Sequence, residues 1–192
     1  MLAYVFWHQP SAGAEVEAYE HALAGFHASL RHRPPQGFHA SIAYRAEDLP
    51  WLGGGAGYED WYAIDDFTAL GVLNAAAVAA GHRSAHDQAA RHSGYGAGGV
   101  YRLLEGSAHF ETARHSAWVS APPQSRPFLG QLLGDGMEVA QSGLWQRQLR
   151  LGPAPEYCLL AAHEPQGVHE SRLGAGWSAL LQQREAVVAP GT

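Results

Sequence analysis

The sequence contains no lysine, so all twelve of its basic residues are arginines. Eighteen acidic residues outnumber them and give a formal net charge of −6, with no run of five or six like charges. Proteins that bind nucleic acids or anionic membranes neutralise phosphates with clustered basic residues. We therefore expect neither a nucleic acid nor a membrane among the partners of this protein.

Cysteine is nearly absent as well, because Cys158 is the only one in the chain. A single thiol excludes an intrachain disulfide and clusters of thiolate metal ligands. Cys158 lies in the apolar run "EYCLLAAH", where we expect a buried and inert side chain. The start, "MLAYVFWHQP", has no basic segment and too short an apolar run for a signal peptide or a membrane span, which predicts a cytoplasmic location.

Several enzyme motifs are also missing, among them the G-x-S-x-G elbow, the P-loop and the EF-hand. A G-x-G-x-x-G pattern does occur at Gly94, Gly96 and Gly99, but it leads into the strand-like "VYRLL". A dinucleotide fingerprint must instead follow a strand and open a helix. We interpret this pattern and the "GGGAG" at 53–57 as glycine-rich loops.

The first half of the chain predicts the element order β-α-β-β-α-β. Strands are indicated by "LAYVFWH", "FHASIAYRA", "YEDWYAID" and "VYRLLEG", which have period-two or strand-like apolar patterns. An amphipathic helix fits "AEVEAYEHALAGFHASLRH", with its apolar stripe at Val16, Tyr19, Leu23, Phe26 and Leu30. Asp65 and Asp66 suit the N-cap of a second helix.

The second half predicts a similar order of elements from Ala113 onward. We expect a strand at "HSAWVSA", a short helix after Pro127, and strands at "LWQRQLRL" and "EYCLLAAH". A final helix is predicted with an apolar side formed by Leu173, Trp177, Leu180, Leu181 and Val188. The matching order predicts a pseudo-repeat of two units, residues 1–110 and 111–192, packed as one body.

Each predicted unit resembles the split β-α-β, ferredoxin-like arrangement, whose sheet has helices on one face only. The α+β fold class that follows has two such units packed sheet to sheet, as an intramolecular barrel around a central space. In element order, residues 2–189 resemble the dimeric α+β barrel superfamily. That superfamily includes cofactor-independent monooxygenases of antibiotic biosynthesis, EthD-like proteins and haem-binding relatives of chlorite dismutase and dye peroxidases. The resemblance carries no individual catalytic residue.

Polar and aromatic residues at strand positions are the candidates for lining that space. We take three histidines as candidate catalytic residues, because imidazole can act as a base, an acid or a ligand near neutral pH. They are His8, His39 and His163. Candidate ligand-binding residues are Trp7, Arg45, Trp61, Tyr62 and Trp118. Strand alternation splits these between the two faces of the sheet, and the sequence leaves the register open.

The stretch "HRSAHDQAARHSG" at 82–94 places His82 and His86 four residues apart, on one helical face. Zinc needs a third protein ligand, and the pattern has no adjacent glutamate to act as a base. We therefore predict no metal and interpret the stretch as a polar helix end and turn. A metal bound by His82 and His86 is the alternative.

Three functions remain open from the sequence. The first is a small-molecule-binding protein or a cofactor-free, monooxygenase-like enzyme that acts on an apolar or aromatic compound. The second is a haem protein with one histidine as axial ligand. The third is a non-enzymatic interaction domain, associating with itself as a homodimer or with another protein through an exposed edge.

Overall fold

A computed structural model describes residues 1–108, 110–135, 137–148, 153–169 and 172–187. The chain divides into two units, one of Met1–Gly98 with Ala186 and Val187, the other of Gly99–Glu185. Both units contain antiparallel strand pairs, and helices accompany them, so the fold is mixed α/β. No helix within the described ranges is long and apolar enough to cross a membrane.

Unit 1 contains the elements that the first half of the sequence predicts, with one additional helix. Its strands lie side by side in the order β4-β1-β3-β2, and β3 pairs antiparallel with both β1 and β2. The elements in chain order are β1 (Leu2–Pro10), α1 (Val16–His32), β2 (Phe38–Glu47), β3 (Ala56–Ile64), α2 (Phe67–Ala77), α3 (Arg83–His92) and β4 (Ser93–Gly106). The division between the units falls inside β4, at Gly98 and Gly99, whereas the predicted division at residue 110 follows the end of that strand.

Helix α1 follows its predicted stripe closely. Glu17 lies in the first turn, and Arg31 and His32 lie in the last, which complements the helix dipole. Of the predicted stripe Val16 is 48% exposed, and the remaining members are buried. His27 is buried on this helix as well.

Helix α2 begins where the two aspartates predict it. The side chain of Asp66 accepts a hydrogen bond from the backbone N–H of Ala69 at 2.9 Å, so Asp66 is the N-cap. Only Ala69 and Leu73 are buried among the eleven residues of this helix.

The register of β1 is fixed by the residues that meet its two faces. Tyr4, Phe6 and His8 face helix α1 and its neighbours. Trp7 points to the opposite face, where its ring meets that of Trp51 at 5.7 Å in a T-shaped arrangement. Of the two registers that the alternation permits, the structure therefore has the one that places Tyr4, Phe6 and His8 beneath the helices.

The glycine-rich segment "GYGAGG" belongs to β4, so its prediction as a loop is wrong. An added Cβ at Gly96 would lie 2.4 Å from a ring atom of Phe6, and one at Gly98 would lie 2.7 Å from the hydroxyl of Tyr4. Glycine is needed here because the aromatic side chains of β1 lie against the neighbouring backbone.

Unit 2 consists of strands with one short helix in its described part. The strands lie in the order β8-β5-β7-β6-β4, and the pairs β5/β8, β5/β7, β6/β7 and β4/β6 are antiparallel. Its elements after β4 are β5 (His115–Ser120), α4 (Leu129–Leu133), β6 (Gly143–Arg147), β7 (Tyr157–Ala161) and β8 (Ser178–Gln183). A two-residue strand, β9 (Glu185–Ala186), follows. The core of unit 2 includes Leu132, Leu144 and Leu159, which are all buried.

The predicted final helix is wrong, because Leu180 and Leu181 belong to strand β8. These leucines pair with Trp118 and Ala117 of β5. Gly176 adopts a left-handed backbone with φ of +82°, which interrupts any helix begun at Leu173. Val188, the last residue of the predicted stripe, lies outside the described residues. The described part of unit 2 thus differs in element order from unit 1.

Candidate functional site

A pocket of about 850 Å³ lies in unit 1, between one face of its sheet and its helices. This volume is within the range of pockets that hold small organic molecules, roughly 300–1,000 Å³. Its walls are mainly aromatic and aliphatic. Strands and α1 contribute Tyr4, Phe6, His8, Tyr19, Leu23, Phe26, Asp60 and Tyr62; α2, α3 and the start of β4 contribute Phe67, Leu70, Gly71, Leu73, Asn74, Ala77, His86, Ala89, Ala90, Ser93 and Gly94.

A row of rings on β1 forms one wall of the pocket. The ring of Phe6 stacks on that of Tyr4 at 6.4 Å between centroids, and on that of His8 at 5.1 Å. Tyr62 of β3 stacks on Tyr4 at 5.9 Å. Tyr4 and Phe6 are only partly buried, so this wall presents flat aromatic faces to an occupant.

A buried carboxylate lies at the polar end of this wall. Oδ1 of Asp60 is 3.2 Å from Nε2 of His8 and 3.5 Å from Nε2 of His27. Neither contact has the alignment of a linear hydrogen bond. The three side chains are 1–3% exposed, so the carboxylate and both imidazoles are almost fully removed from water.

Hydroxyl groups occupy the outer nitrogen of each imidazole. The hydroxyl of Tyr19 forms a short hydrogen bond with Nδ1 of His8, and Oγ of Ser41 lies 2.7 Å from Nδ1 of His27. The five side chains form a continuous row, Tyr19–His8–Asp60–His27–Ser41, which we call the Asp60 cluster. Because a hydroxyl can donate or accept, the row accommodates either a neutral or a protonated imidazole at each position.

The environment keeps Asp60 ionised. Burial by itself raises the pKa of a carboxyl, but the charges and close contacts of His8 and His27 outweigh it and hold the pKa of Asp60 well below its usual range. Its second oxygen, Oδ2, accepts a hydrogen bond from the hydroxyl of Tyr62 at 3.0 Å. The carboxylate at this end of the pocket is therefore ionised and faces two imidazoles.

The tyrosines around this charge stay protonated. Burial raises the pKa of Tyr62 well above its ordinary value, and the charge of Asp60 raises it further. Burial and Asp60 likewise raise the pKa of Tyr4, and burial is the main cause of a still larger rise at Tyr19. These hydroxyls act as neutral hydrogen-bond donors and acceptors near neutral pH.

A second polar group lies behind His8. The ring of Tyr58 stacks on that of His8 at 5.6 Å, and its hydroxyl donates to Oε1 of Glu20 at 2.9 Å. The same oxygen accepts from Nη2 of Arg45 at 2.6 Å. Burial and then the hydrogen bond and charge of Glu20 raise the pKa of Tyr58 to about 12. This group fixes the ring of Tyr58 and with it one side of His8.

Ser41, His27 and Asp60 are the residue types of a hydrolytic triad, but a substrate in the pocket cannot reach Ser41. Ser41 is 1% exposed and does not line the pocket. A serine nucleophile must reach the carbonyl that it attacks. Ser41 is therefore placed to hold His27 and not to attack a substrate.

The predicted catalytic histidines lie in three separate places. His8 lies in the Asp60 cluster and lines the pocket. His39, on β2, is exposed and pairs with Asp65 through Nε2 and Oδ1 at 2.6 Å. His163 is exposed and follows β7 in unit 2. Within unit 1, His8 and His39 do not form one group, because His39 is exposed and His8 is buried.

The predicted ligand-binding residues of unit 1 lie on both faces of its sheet. Tyr62 lines the pocket, whereas Arg45 pairs with Glu20 behind it. Trp7 lies on the opposite face of the sheet, as does Trp61, whose Nε1 donates to Oε2 of Glu59 at 3.2 Å. Trp118 is buried in unit 2, where its ring meets that of Tyr101.

His82 and His86 have different partners. His82 is buried, and its Nδ1 lies 3.1 Å from Oγ of Ser29. His86 lies on α3, lines the pocket and has Nδ1 at 3.2 Å from Oδ1 of Asp87. In the part of the chain that the structure describes, no group of three histidine, cysteine or acidic side chains could hold a metal ion. The stretch forms a full helix rather than a helix end and turn.

Asp60, His27 and Tyr19 were not among the residues predicted to form a site. Asp60 lies in "YEDWYAID", where alternation places it on one face with Tyr58 and Tyr62. An acidic residue inside a strand that is otherwise aromatic is an available signal, because buried carboxylates are rare unless paired. His27 follows Phe26 on the apolar side of α1 and offers a similar, weaker signal.

Comparison with known proteins adds a similarity of fold. No protein-family model matches the chain, and no curated protein sequence matches it significantly. The fold is similar to the crystal structure of a Fusobacterium nucleatum protein that carries the name "Putative monooxygenase", with a TM-score of 0.57. The similarity covers 97% of this chain and 92% of the other, at 8% sequence identity. At that identity the likeness concerns the fold alone.

Proposed function

We propose that the protein is a monooxygenase-like enzyme that needs no cofactor and oxidises a hydroxyl-bearing aromatic compound in the pocket of unit 1. The observation that carries this proposal is the Asp60 cluster, which places a base at the end of an aromatic-walled pocket of about 850 Å³. The order of unit 1, which is β-α-β-β-α-β with the additional helix α3 before its last strand, supports a place in the α+β barrel superfamily. The fold of the Fusobacterium nucleatum protein agrees with this assignment.

The chemistry begins with removal of a proton from the substrate. An imidazole that faces an ionised carboxylate accepts a proton readily, because the carboxylate stabilises the imidazolium that forms. His8 is the base in this proposal, and Tyr19 on its Nδ1 can relay the proton from the substrate hydroxyl. Tyr62, which donates to Asp60, keeps the carboxylate in place.

The resulting aromatic anion is electron-rich and donates electrons to O2, forming a carbon–oxygen bond. The peroxide anion takes back the proton from His8. Loss of the hydrogen on the same carbon as a proton then breaks the O–O bond, leaving a carbonyl and releasing water. Overall the substrate loses two hydrogens and gains one oxygen atom, the second oxygen atom leaves as water, and O2 is the only co-reactant.

Oxygen consumption tests this proposal directly. Wild-type protein should consume O2 in proportion to quinone formed from a planar hydroxyarene such as a hydroxyanthracene. His8→Gln should lower the rate about a hundredfold or more, because the base is lost. His39→Gln, an exposed histidine paired with Asp65, is the matched control and should leave the rate unchanged. Binding of no member of a hydroxyarene panel and no O2 uptake would refute the proposal.

The haem alternative fits this pocket poorly. Both nitrogens of His8 are occupied, so His86 is the histidine that could offer Nε2 to iron. No arginine is among the described residues that line the pocket, whereas haem carries two carboxylates that need cationic partners. A Soret band that appears with hemin and is lost in His86→Ala would revive this alternative.

The interaction-domain alternative, the homodimer and the cytoplasmic location stay predictions. The absence of any small-molecule binding together with a dimer in size-exclusion chromatography would favour an interaction domain. A monomer that oxidises hydroxyarenes would favour the enzyme.

A further inference from the structure

One carboxylate oxygen serves two imidazoles in the Asp60 cluster. Nε2 of His8 and Nε2 of His27 both lie within 3.5 Å of Oδ1 of Asp60. A general base supported by a carboxylate needs only one imidazole. His27 does not line the pocket, so its presence requires another explanation.

The charge of the cluster limits the number of protons that it holds. With Asp60 ionised, two neutral imidazoles give a net charge of −1, one protonated imidazole gives zero, and two give +1. A net charge that is almost fully buried is costly, so the neutral state with one proton is favoured. Two positive charges on either side of one oxygen also repel, which disfavours a second proton.

The outer partners allow that single proton to reside on either imidazole. A protonated imidazole donates from both nitrogens, so the partner of its outer nitrogen, Nδ1, must accept. A neutral imidazole that donates to Asp60 from Nε2 needs a donor at Nδ1. Both outer partners are hydroxyls, Tyr19 on His8 and Ser41 on His27. A hydroxyl can take either role by rotation, so the outer nitrogen of each imidazole keeps a partner in both protonation states.

We propose that His8 and His27 share one resident proton through Asp60, and that His27 is a positioning residue that keeps His8 available as a base. The second half of this inference rests on the proposed function. When the proton resides on His27, His8 is neutral and can accept the proton of the substrate. The positive charge then formed on the cluster is balanced by the substrate anion in the pocket. Without His27, Asp60 would hold the resident proton on His8.

Other titratable groups face the cluster from each surrounding element. None of them is a second carboxylate on Oδ1 or Oδ2 of Asp60 within the described residues. They are Tyr4 of β1, Tyr19 of α1, Tyr58 and Tyr62 of β3, and His86 and His92 of α3.

Nuclear magnetic resonance of the ligand-free full chain, labelled with ¹⁵N at histidine, tests the sharing of the proton. The ring nitrogens of His8 and His27 should each respond to pH in two steps, or one ring should titrate fully before the other. In His27→Gln the ring of His8 should titrate in one step, with its midpoint at higher pH than in the wild type. The matched control, His39→Gln, should leave the signals of His8 unchanged.

Simultaneous single-step titration of both rings, or two rings that stay neutral wherever the protein is folded, would overturn the inference. The titration of the wild-type protein alone distinguishes these outcomes, so the inference can be tested even if His27→Gln does not fold. Ser41→Ala provides a second variant. It removes the outer partner of protonated His27 and should shift the proton towards His8.

The pH dependence of O2 uptake tests the claim that His27 keeps His8 available as a base. In His27→Gln the pH at which O2 uptake reaches half its maximum should move up, with the maximal rate retained, because His8 loses its resident proton only at higher pH. A lower maximal rate without a change in the pH profile would mean that His27 is merely structural. Two-step titration without any O2 uptake would leave the shared proton standing and refute the proposed function.

Discussion

Two glycines of β4 are predicted to make room for the pocket wall, and replacing either with alanine tests this. The added Cβ at Gly96 would lie 2.4 Å and 2.9 Å from two ring atoms of Phe6. Ordinary contacts between such atoms start near 3.5 Å, so the ring must move by about 1 Å. The backbone at Gly96 is not left-handed, so alanine meets no conformational strain there.

The size of the effect follows from two opposing contributions. Inserting a methyl group into a packed site costs about 1–3 kcal/mol. Replacing glycine with alanine at a compatible backbone returns about 0.4–1 kcal/mol through the unfolded state. Taking the middle of each range, we expect Gly96→Ala to lower the free energy of unfolding by about 1.3 kcal/mol, measured by urea denaturation with an unchanged slope.

A crossed double-mutant cycle identifies the partner of each glycine. Gly98 faces Tyr4, whose hydroxyl and Cε2 would lie 2.7 Å and 2.8 Å from an added Cβ. Phe6→Ala should cancel most of the cost of Gly96→Ala, and Tyr4→Ala most of that of Gly98→Ala. The mismatched pairs, Phe6→Ala with Gly98→Ala and Tyr4→Ala with Gly96→Ala, should be additive to within about 0.5 kcal/mol.

The same substitutions should affect binding. Phe6 lines the pocket, so a ring displaced by Gly96→Ala moves into the space of the ligand. Weaker binding of a planar hydroxyarene is therefore expected. Stability equal to that of the wild type, with additivity in all four pairs, would refute the claim that glycine makes room for these rings.

Three further predictions concern charge and backbone. Asp60→Asn should lower the free energy of unfolding at pH 7 by about 3–5 kcal/mol in urea denaturation, because a buried pair loses one partner. The pKa of Asp60 is lower in the folded state than in the unfolded chain, so ionised Asp60 stabilises the fold above about pH 4. This stabilisation is lost as the pH falls below the usual carboxyl range. On acidification the wild type should therefore lose more stability than Asp60→Asn. The pKa of Tyr58 is raised, so the contribution of its protonated hydroxyl to stability is complete below about pH 10 and is lost as the pH rises through about 12. Glu20→Gln should lower the midpoint of this titration, measured by the absorbance of tyrosinate. Gly176→Ala should cost about 1–2 kcal/mol because of its left-handed φ of +82°, whereas thermal unfolding of Gly174→Ala should match the wild type.

Local patterns were sufficient for most of unit 1. The alternation in "LAYVFWH", the stripe on α1 and the cap at Asp66 each depend on residues close in sequence, and the structure has the elements that they predict. The final helix was mispredicted because the leucines at 180 and 181 fit helical and strand spacing alike over so short a run. Their pairing with β5 decided the outcome, and that pairing is a long-range contact.

The candidate site depends still more on long-range contacts. His8 was identified from its strand, but His8, His27 and Asp60 lie on three different elements, and no spacing in the sequence links them. Their meeting depends on the register of β1 against β3, which pairs Phe6 with Asp60. A one-residue slip would point Asp60 to the other face, where Glu59 and Trp61 lie.

Helix α2 has little core of its own beneath it. Only Ala69 and Leu73 are buried, Phe67 is 47% exposed, and the apolar residues of its inner side line the pocket. The contacts that hold most helices in place are here left for an occupant to supply. Ligand binding and the local stability of α2 are therefore linked, so that the amide hydrogens of this helix report occupancy of the pocket through their rate of exchange with solvent.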